Sequence, residues 1–133
     1  MNTKPTRHQL RFIVLTDLLA VCRLNQDTPI PAWASSGTLF SVTRTADELS
    51  VVCQQNLVPD GVQCERGWRC VRVAGTMDFS MIGVVASFST PLAEAGVGIF
   101  VISTFDTDYL LLKDVDFSKA VVALQEAGHA VDS

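Results

Sequence analysis

The sequence predicts an α+β chain built on the ferredoxin-like split βαβ unit, and three observations predict it. The second half reads strand, helix, strand, strand, helix, strand, which is the element order of that unit. Its apolar residues alternate over Trp68 to Ala74 and step by three and four over Met81 to Ala95. The first half is mostly β, with helical pieces no longer than a turn. With 133 residues the chain can bury a sizeable core, as one domain or two small fused ones.

Taken in order, residues 1–9 are polar and read as a frayed end. Leu10 to Leu15 and Leu18 to Leu24 read as two strands of a hairpin turning at Thr16-Asp17. Asn25 to Pro31 is a loop, because two prolines exclude regular pairing. Pro31-Ala32-Trp33-Ala34 fits one helical turn with proline in first position, and Trp33 then plugs the sheet. Leu39 to Thr43 and Leu49 to Cys53 are strand-like. Between them Thr45 and Glu48 have the capping-box spacing, which predicts one capped turn. Gln54 to Arg66 is the most polar stretch and the candidate linker, tied down by Leu57, Val58 and Val62.

In the second half, Asp78 or Ser80 caps the first helix and Gly96 follows its end. Pro91 interrupts the backbone ladder, giving a kink or a second cap at Thr90. Gly98 to Ser103 and Tyr109 to Lys113 are strands joined by Thr104 to Asp108. Asp116 caps a second helix that Gly128 stops, and His129 to Val131 is a last short strand.

Composition narrows the function. Net charge is −4 and no basic run exceeds Lys4 to Arg11, so nucleic acid is not an expected partner. No apolar stretch is long and charge-free enough to span a membrane, and no segment of signal-peptide type precedes the first strand. A cytoplasmic location follows as the expectation. Charged residues make up 18% against roughly 25% in an average domain, which suggests apolar surface covered by a second subunit in a homodimer. Cys22, Cys53, Cys64 and Cys70 form no Cys-x-x-Cys, so neither a metal site nor a disulfide framework is expected. Each reads as a small core residue except Cys64, which sits in a polar segment and is accessible. No nucleophile is spaced with a base. Gly96-Val97-Gly98 precedes a strand rather than a helix and is no phosphate cradle. The chain is read as a non-enzyme without cofactor.

Two polar pieces stand out, Gly75 to Ser80 and Ser103 to Asp108. If the apolar runs before them are neighbouring parallel strands, both pieces lie at one edge of the sheet, where open α/β sheets collect ligands. Gly75-Thr76-Met77-Asp78-Phe79-Ser80-Met81-Ile82-Gly83-Val84-Val85-Ala86, with Ile102 to Tyr109 and Phe40 to Val52, resembles the ACT domain family. More narrowly, it is similar to the subfamily shared by the arginine-sensing CASTOR proteins and aspartate-kinase regulatory domains. The resemblance spans Leu10 to Gly128 and implies two tandem ACT-like units: a degenerate, mostly β unit at 1–64 and an ACT domain at 65–133. It further implies a free amino acid as ligand and a regulated protein as partner. It places ligand contacts at Ile82, Gly83 and Val84 on the early helix and at Thr104, Phe105, Thr107 and Asp108 in the turn. Where the arginine sensors carry an acidic residue just before that helical segment, this chain has Met81.

The residue chemistry fits a zwitterion. Amides at the start of the helix opened by Ser80 suit a carboxylate, with about 0.3–1 kcal/mol available from such a helix end. Gly83 lets a ligand backbone approach closely. Asp108, with Asp106 nearby, suits the ammonium, and Phe105 can wall off the side chain. Each residue also has a plainer reading. Asp78 and Ser80 fit ordinary caps, Gly83 fits helix–sheet packing, Asp106 and Thr107 are turn formers, and Phe105 fits a core. Asp108 carries the strongest case, because an aspartate opening an apolar strand is unfavourable without a partner. The expected function is a non-enzymatic domain that binds a free amino acid and signals to a partner. The alternative is a dimerisation or docking module with no ligand.

Overall fold

The computed structural model describes residues 8–75 and 82–132. The expected cap residues Asp78 and Ser80, and Met81, lie outside the described residues. The chain divides into two compact units, one of residues 1–15 with 70–133 and one of residues 16–69. The start of the chain therefore joins the helical unit, and residues 54–66, the candidate linker, lie inside the smaller one.

The smaller unit has the βαββαβ order with both helices reduced to single 3₁₀ turns. It uses the second part of β1 (Arg11–Leu24), a turn at Ala32–Ser35, β2 (Ser41–Arg44), β3 (Leu49–Gln54), a turn at Gln55–Leu57, and the first part of β4 (Gln63–Val73). Its strands lie in the order β2-β3-β1-β4. Trp33 is half-buried against a core that includes Ala34, Leu49, Val51 and Val58, so the expected plug is in place. Arg44 ties down the loop before the first 3₁₀ turn through the carbonyls of Gln26 and Thr28. The polar stretch is held too: Arg66 donates to the carbonyls of Gln55 and Val58, and the Gly67 amide donates to the Gln55 side chain at 2.9 Å.

Two expectations in this region are corrected. The hairpin at Thr16-Asp17 is absent, and β1 runs unbroken through both residues. A two-residue hairpin turn needs backbone in the left-handed region, which Thr-Asp without glycine adopts at a cost, and no non-glycine residue described has positive φ. The capped turn at Thr45 to Glu48 is instead the hairpin connection of β2 and β3. There the Thr45 amide donates to Glu48 O at 2.9 Å and Thr45 Oγ1 accepts from the Glu48 amide at 3.2 Å. The capping-box spacing found the right hydrogen bond in the wrong element.

The helical unit uses the rest of β4, α1 (Val84–Glu94), β5 (Ile99–Ser103), β6 (Asp108–Lys113), a 3₁₀ turn at Asp114–Asp116, α2 (Phe117–Glu126) and β7 (Ala130–Asp132). Its strand order is β7-β1-β4-β6-β5. The expected fourth strand at the end of the chain is displaced: the opening residues of β1 take the place beside β4, with Ala74 N donating to Arg11 O at 2.8 Å. Strand β7 pairs with β1 in parallel, Arg11 opposite Ala130, and Arg11 and Asp132 form a salt bridge at 2.9 Å. The core is filled by Phe12, Val71, Phe88, Leu92, Leu110 and Leu124. Phe88 is fully buried and meets Phe12 edge-on at 6.1 Å, a favourable aromatic geometry.

The helices differ from expectation at their starts. The first begins at Val84, three residues later than the periodicity suggests, and Gly83 occupies its N-cap at φ 82°. That left-handed conformation strains any residue with a Cβ, so glycine sets the entry angle here. The helix continues through Pro91 without restarting at Thr90. Asp116 occupies the cap position of α2 but makes no side-chain cap bond, because the preceding 3₁₀ turn leads the chain in. The second helix ends, as expected, at Gly128 with φ 96°.

Candidate functional site

The turn between β5 and β6 is fixed by its own residues. Thr104 N donates to Thr107 O at 2.8 Å, Thr104 Oγ1 donates to the same carbonyl at 3.0 Å, and Thr107 N donates to Thr104 Oγ1 at 3.2 Å. A threonine at the first turn position supplies an acceptor that locks the bend. Thr107 is buried and its hydroxyl donates to Val73 O at 2.9 Å, which pins the turn to the end of β4. The chain leaves β4 there toward the start of α1, whose first residue Val84 packs in the same core as Val73. The turn and the end of β4 thus lie together, but β4 and β5 are not the neighbouring strands expected, because β6 lies between them, and residues 76–81 of the first polar piece lie outside the described residues.

Asp108 opens β6 opposite Ser103 and is only 4% exposed. Its carboxylate accepts a 2.6 Å hydrogen bond from Ser103 Oγ. The plainer reading of Phe105 as core does not hold, since Phe105 is 78% exposed at the tip of the turn. Ile82 is 81% exposed before the helix, whereas Val84 is buried. Ser80 lies outside the described residues. Among the predicted contacts, the structure unites Thr104, Thr107 and Asp108 in one bonded turn and sets Gly83 and Val84 at the start of α1, where the N-cap glycine has no side chain to bond the first-turn amides.

Behind Gly83 lies a network that sequence reasoning missed. Ser87 N and Oγ both donate to Gly83 O, at 3.0 and 2.8 Å. His8, read as part of a frayed tail, donates its amide to Ser87 Oγ at 2.9 Å, and its Nε2 lies 2.7 Å from Ile82 O. His129, read as a cation suited to a helix end, is buried instead. Its Nε2 lies 2.7 Å from Ser87 O, and its Nδ1 accepts from Leu10 N at 2.9 Å. A neutral ring with its proton on Nε2 satisfies both bonds. One sign of this was legible: Pro91, four residues after Ser87, has no N–H to give, so the Ser87 carbonyl must find a partner outside the helix.

Among the described residues, no group of three or more His, Cys, Asp or Glu is arranged to hold a metal ion. No helix among them is long and apolar enough to cross a membrane.

A ferredoxin-like unit with full helices, joined to one whose helices have shrunk to 3₁₀ turns, defines a tandem α+β architecture. The chain carries an ACT domain: the ACT domain model matches residues 63–126, and a model for an N-terminal domain matches residues 17–61. A crystal structure of an Agobacterium tumefaciens protein is 40% identical with a TM-score of 0.89, covering 93% of this chain and 92% of that one. The aspartate kinase of Clostridium acetobutylicum is similar in fold, with 15% identity and a TM-score of 0.64, covering 94% of this chain and 36% of the kinase. Among curated proteins, the human cytosolic arginine sensor for mTORC1 subunit 1 is 28% identical over 84% of this chain, and its Pongo abelii counterpart 36% identical over the same share. The chain spans 38% of the length of these curated relatives.

Proposed function

We propose that this protein binds a free amino acid at the sheet edge framed by Gly83 and the Thr104–Asp108 turn, and passes the binding event to a protein partner. The observation that carries the reading is Asp108. A buried carboxylate at the first position of an apolar strand has a desolvation cost that one serine hydroxyl does not fully offset. A ligand ammonium is the charge that would. Thr104 and Thr107 hold the turn around it, and the first-turn amides of α1 suit the ligand carboxylate. Ser80, Ile82 and Phe105 complete the contact set, the last two with exposed apolar side chains that a ligand or a second subunit would cover. The similarity to an arginine sensor supports a regulatory role over a catalytic one. That sensor is a cytosolic protein, which also supports a cytoplasmic setting. A homodimer fits the low charge content of the sequence.

Thermal shift and calorimetry with the twenty amino acids test the reading. At least one is expected to bind in the micromolar to millimolar range, about −8 to −4 kcal/mol. Asp108→Asn removes the charge while keeping the shape and is expected to abolish that response. Silence from all twenty overturns the proposal. It would favour the second reading, a docking or dimerisation module with no ligand, to which the closed Ser103–Asp108 pair also lends support.

A further inference from the structure

The smaller unit gathers thiols that the amino-acid site does not use. Cys22 is on β1 and Cys53 on β3, and the register sets Ala20 opposite Cys53 and Val51 opposite Cys22. The two cysteines are therefore diagonal neighbours on one face of the pair. Strand β4 borders β1 on its other side, and its Cys64 packs against the same core. Cys22 is the middle member, on the strand that lies between those carrying Cys53 and Cys64. Exposure separates the three. Cys22 and Cys53 are buried, whereas Cys64 is only partly buried. Burial pushes the Cys22 thiol up to about 12 and raises Cys53 as well, while the Arg66 guanidinium works in the opposite direction on both. Cys70 stands apart, deeply buried in β4 with Val71 O as its neighbour.

We propose that Cys64 is a modification site for low-molecular-weight disulfides and that Cys22 is its resolving partner, so that this unit closes a reversible Cys22–Cys64 disulfide. In the first step Cys64 loses its proton and its sulfur attacks one sulfur of the small disulfide. That S–S bond breaks, and one small thiolate leaves and takes up the proton. In the second step Cys22 loses its proton and its sulfur attacks Cys64 Sγ. The second small thiolate departs and is protonated in turn. Two protein thiols are oxidised, and one small disulfide is reduced to two thiols. The buried Cys22 is the poorer thiolate, so the second step is the slower one and the mixed disulfide on Cys64 accumulates briefly.

The test uses the full chain and glutathione disulfide, followed over time by intact-mass spectrometry and non-reducing peptide mapping. A glutathione adduct on Cys64 is expected to rise and then decay into a peptide linking Cys22 to Cys64, with dithiothreitol restoring both thiols. In Cys64→Ser neither species forms. In Cys22→Ala the adduct persists, with a lifetime longer by on the order of tenfold or more. Because Cys22 is a core residue, circular dichroism checks that this variant folds, and the wild-type time course decides the matter by itself if it does not. A permanent adduct on wild-type Cys64, a link through Cys53 or Cys70 instead, or no reaction of the native chain overturns the proposal.

Discussion

Strand β3 of the smaller unit and β6 of the helical unit occupy the same place in their respective folds. Each runs six residues with the same alternation of burial: buried, half-buried, three buried, half-buried. Each follows a turn that a threonine closes, Thr45 in one and Thr104 in the other, with the threonine amide donating three residues ahead and its hydroxyl accepting in return. Each leads into a 3₁₀ turn. At the first strand position the units part: Leu49 is fully buried in one, and Asp108 is 4% exposed in the other. The framework folds with a leucine there, so it does not require an acid. The second difference lies on the covering face, where helices of 11 and 10 residues in one unit stand against 3₁₀ turns of 4 and 3 residues in the other. The unit with full helices is also the one with the charged strand opening.

The helices are where this contrast can be broken most forcefully. Phe88→Ala empties a fully buried site beneath α1 and is expected to cost about 3–5 kcal/mol in urea denaturation. Trp33→Ala in the smaller unit removes a side chain only half-buried beneath a single turn, and its loss is expected to be smaller. Equal losses would mean that the 3₁₀ plug holds its unit as firmly as a helix does.

The next effect tests how α1 is tied to the chain ends. His129→Ala leaves the Ser87 carbonyl and the Leu10 amide without partners, at about 1–3 kcal/mol each. Pro91→Ala gives Ser87 an intrahelical donor. The cost of losing His129 is therefore expected to shrink by about 1 kcal/mol in the Pro91→Ala background. A double-mutant cycle measured by chemical denaturation reads this coupling, and strict additivity would show that the proline does not expose the carbonyl.

Much of this was legible in the sequence, and the physical reasons for the rest are specific. Period-three-and-four spacing located α1 and α2, and alternation over Trp68 to Ala74 located the end of β4, because those segments bury one face against one core. Thr16-Asp17 misled because two turn-forming residues also tolerate an exposed stretch of long strand, and only pairing across distant segments distinguishes the cases. The place of β1 beside β4 rests on contacts between residues more than 60 positions apart, which no local pattern encodes. In the candidate site, Asp108 was legible because a charge opening an apolar strand violates a local rule. His8 and His129 were not, since their rings bond backbone atoms of Ile82, Ser87 and Leu10.

A smaller stability effect, with a larger functional one, follows from giving the helical unit its neighbour's residue. Asp108→Leu is expected to leave stability unchanged or raise it by up to about 2 kcal/mol, since an apolar side chain replaces a desolvated carboxylate. Ser103, which is exposed, can turn its hydroxyl to water. The same variant is expected to lose any amino-acid response. Greater stability with lost binding is the pattern of a residue kept for function at the expense of the fold. A sharp fall in melting temperature would instead make Asp108 a structural acid, paired with Ser103 for the sake of the turn.

The smallest effect tests whether the two turns are equivalent. Thr45→Val and Thr104→Val keep the β-branched shape and remove the hydroxyl that closes each bend, so each is expected to cost about 1 kcal/mol by denaturant titration. The two losses should agree if the turns serve only to connect strands. At Thr104 the lost hydroxyl also loosens Thr107, whose own hydroxyl holds the end of β4, and with it the wall beside Asp108. Amino-acid affinity should then fall for Thr104→Val and stay unchanged for Thr45→Val. Equal stability losses with unequal effects on binding would assign the site to the helical unit; an equal fall in affinity for both variants would overturn that assignment.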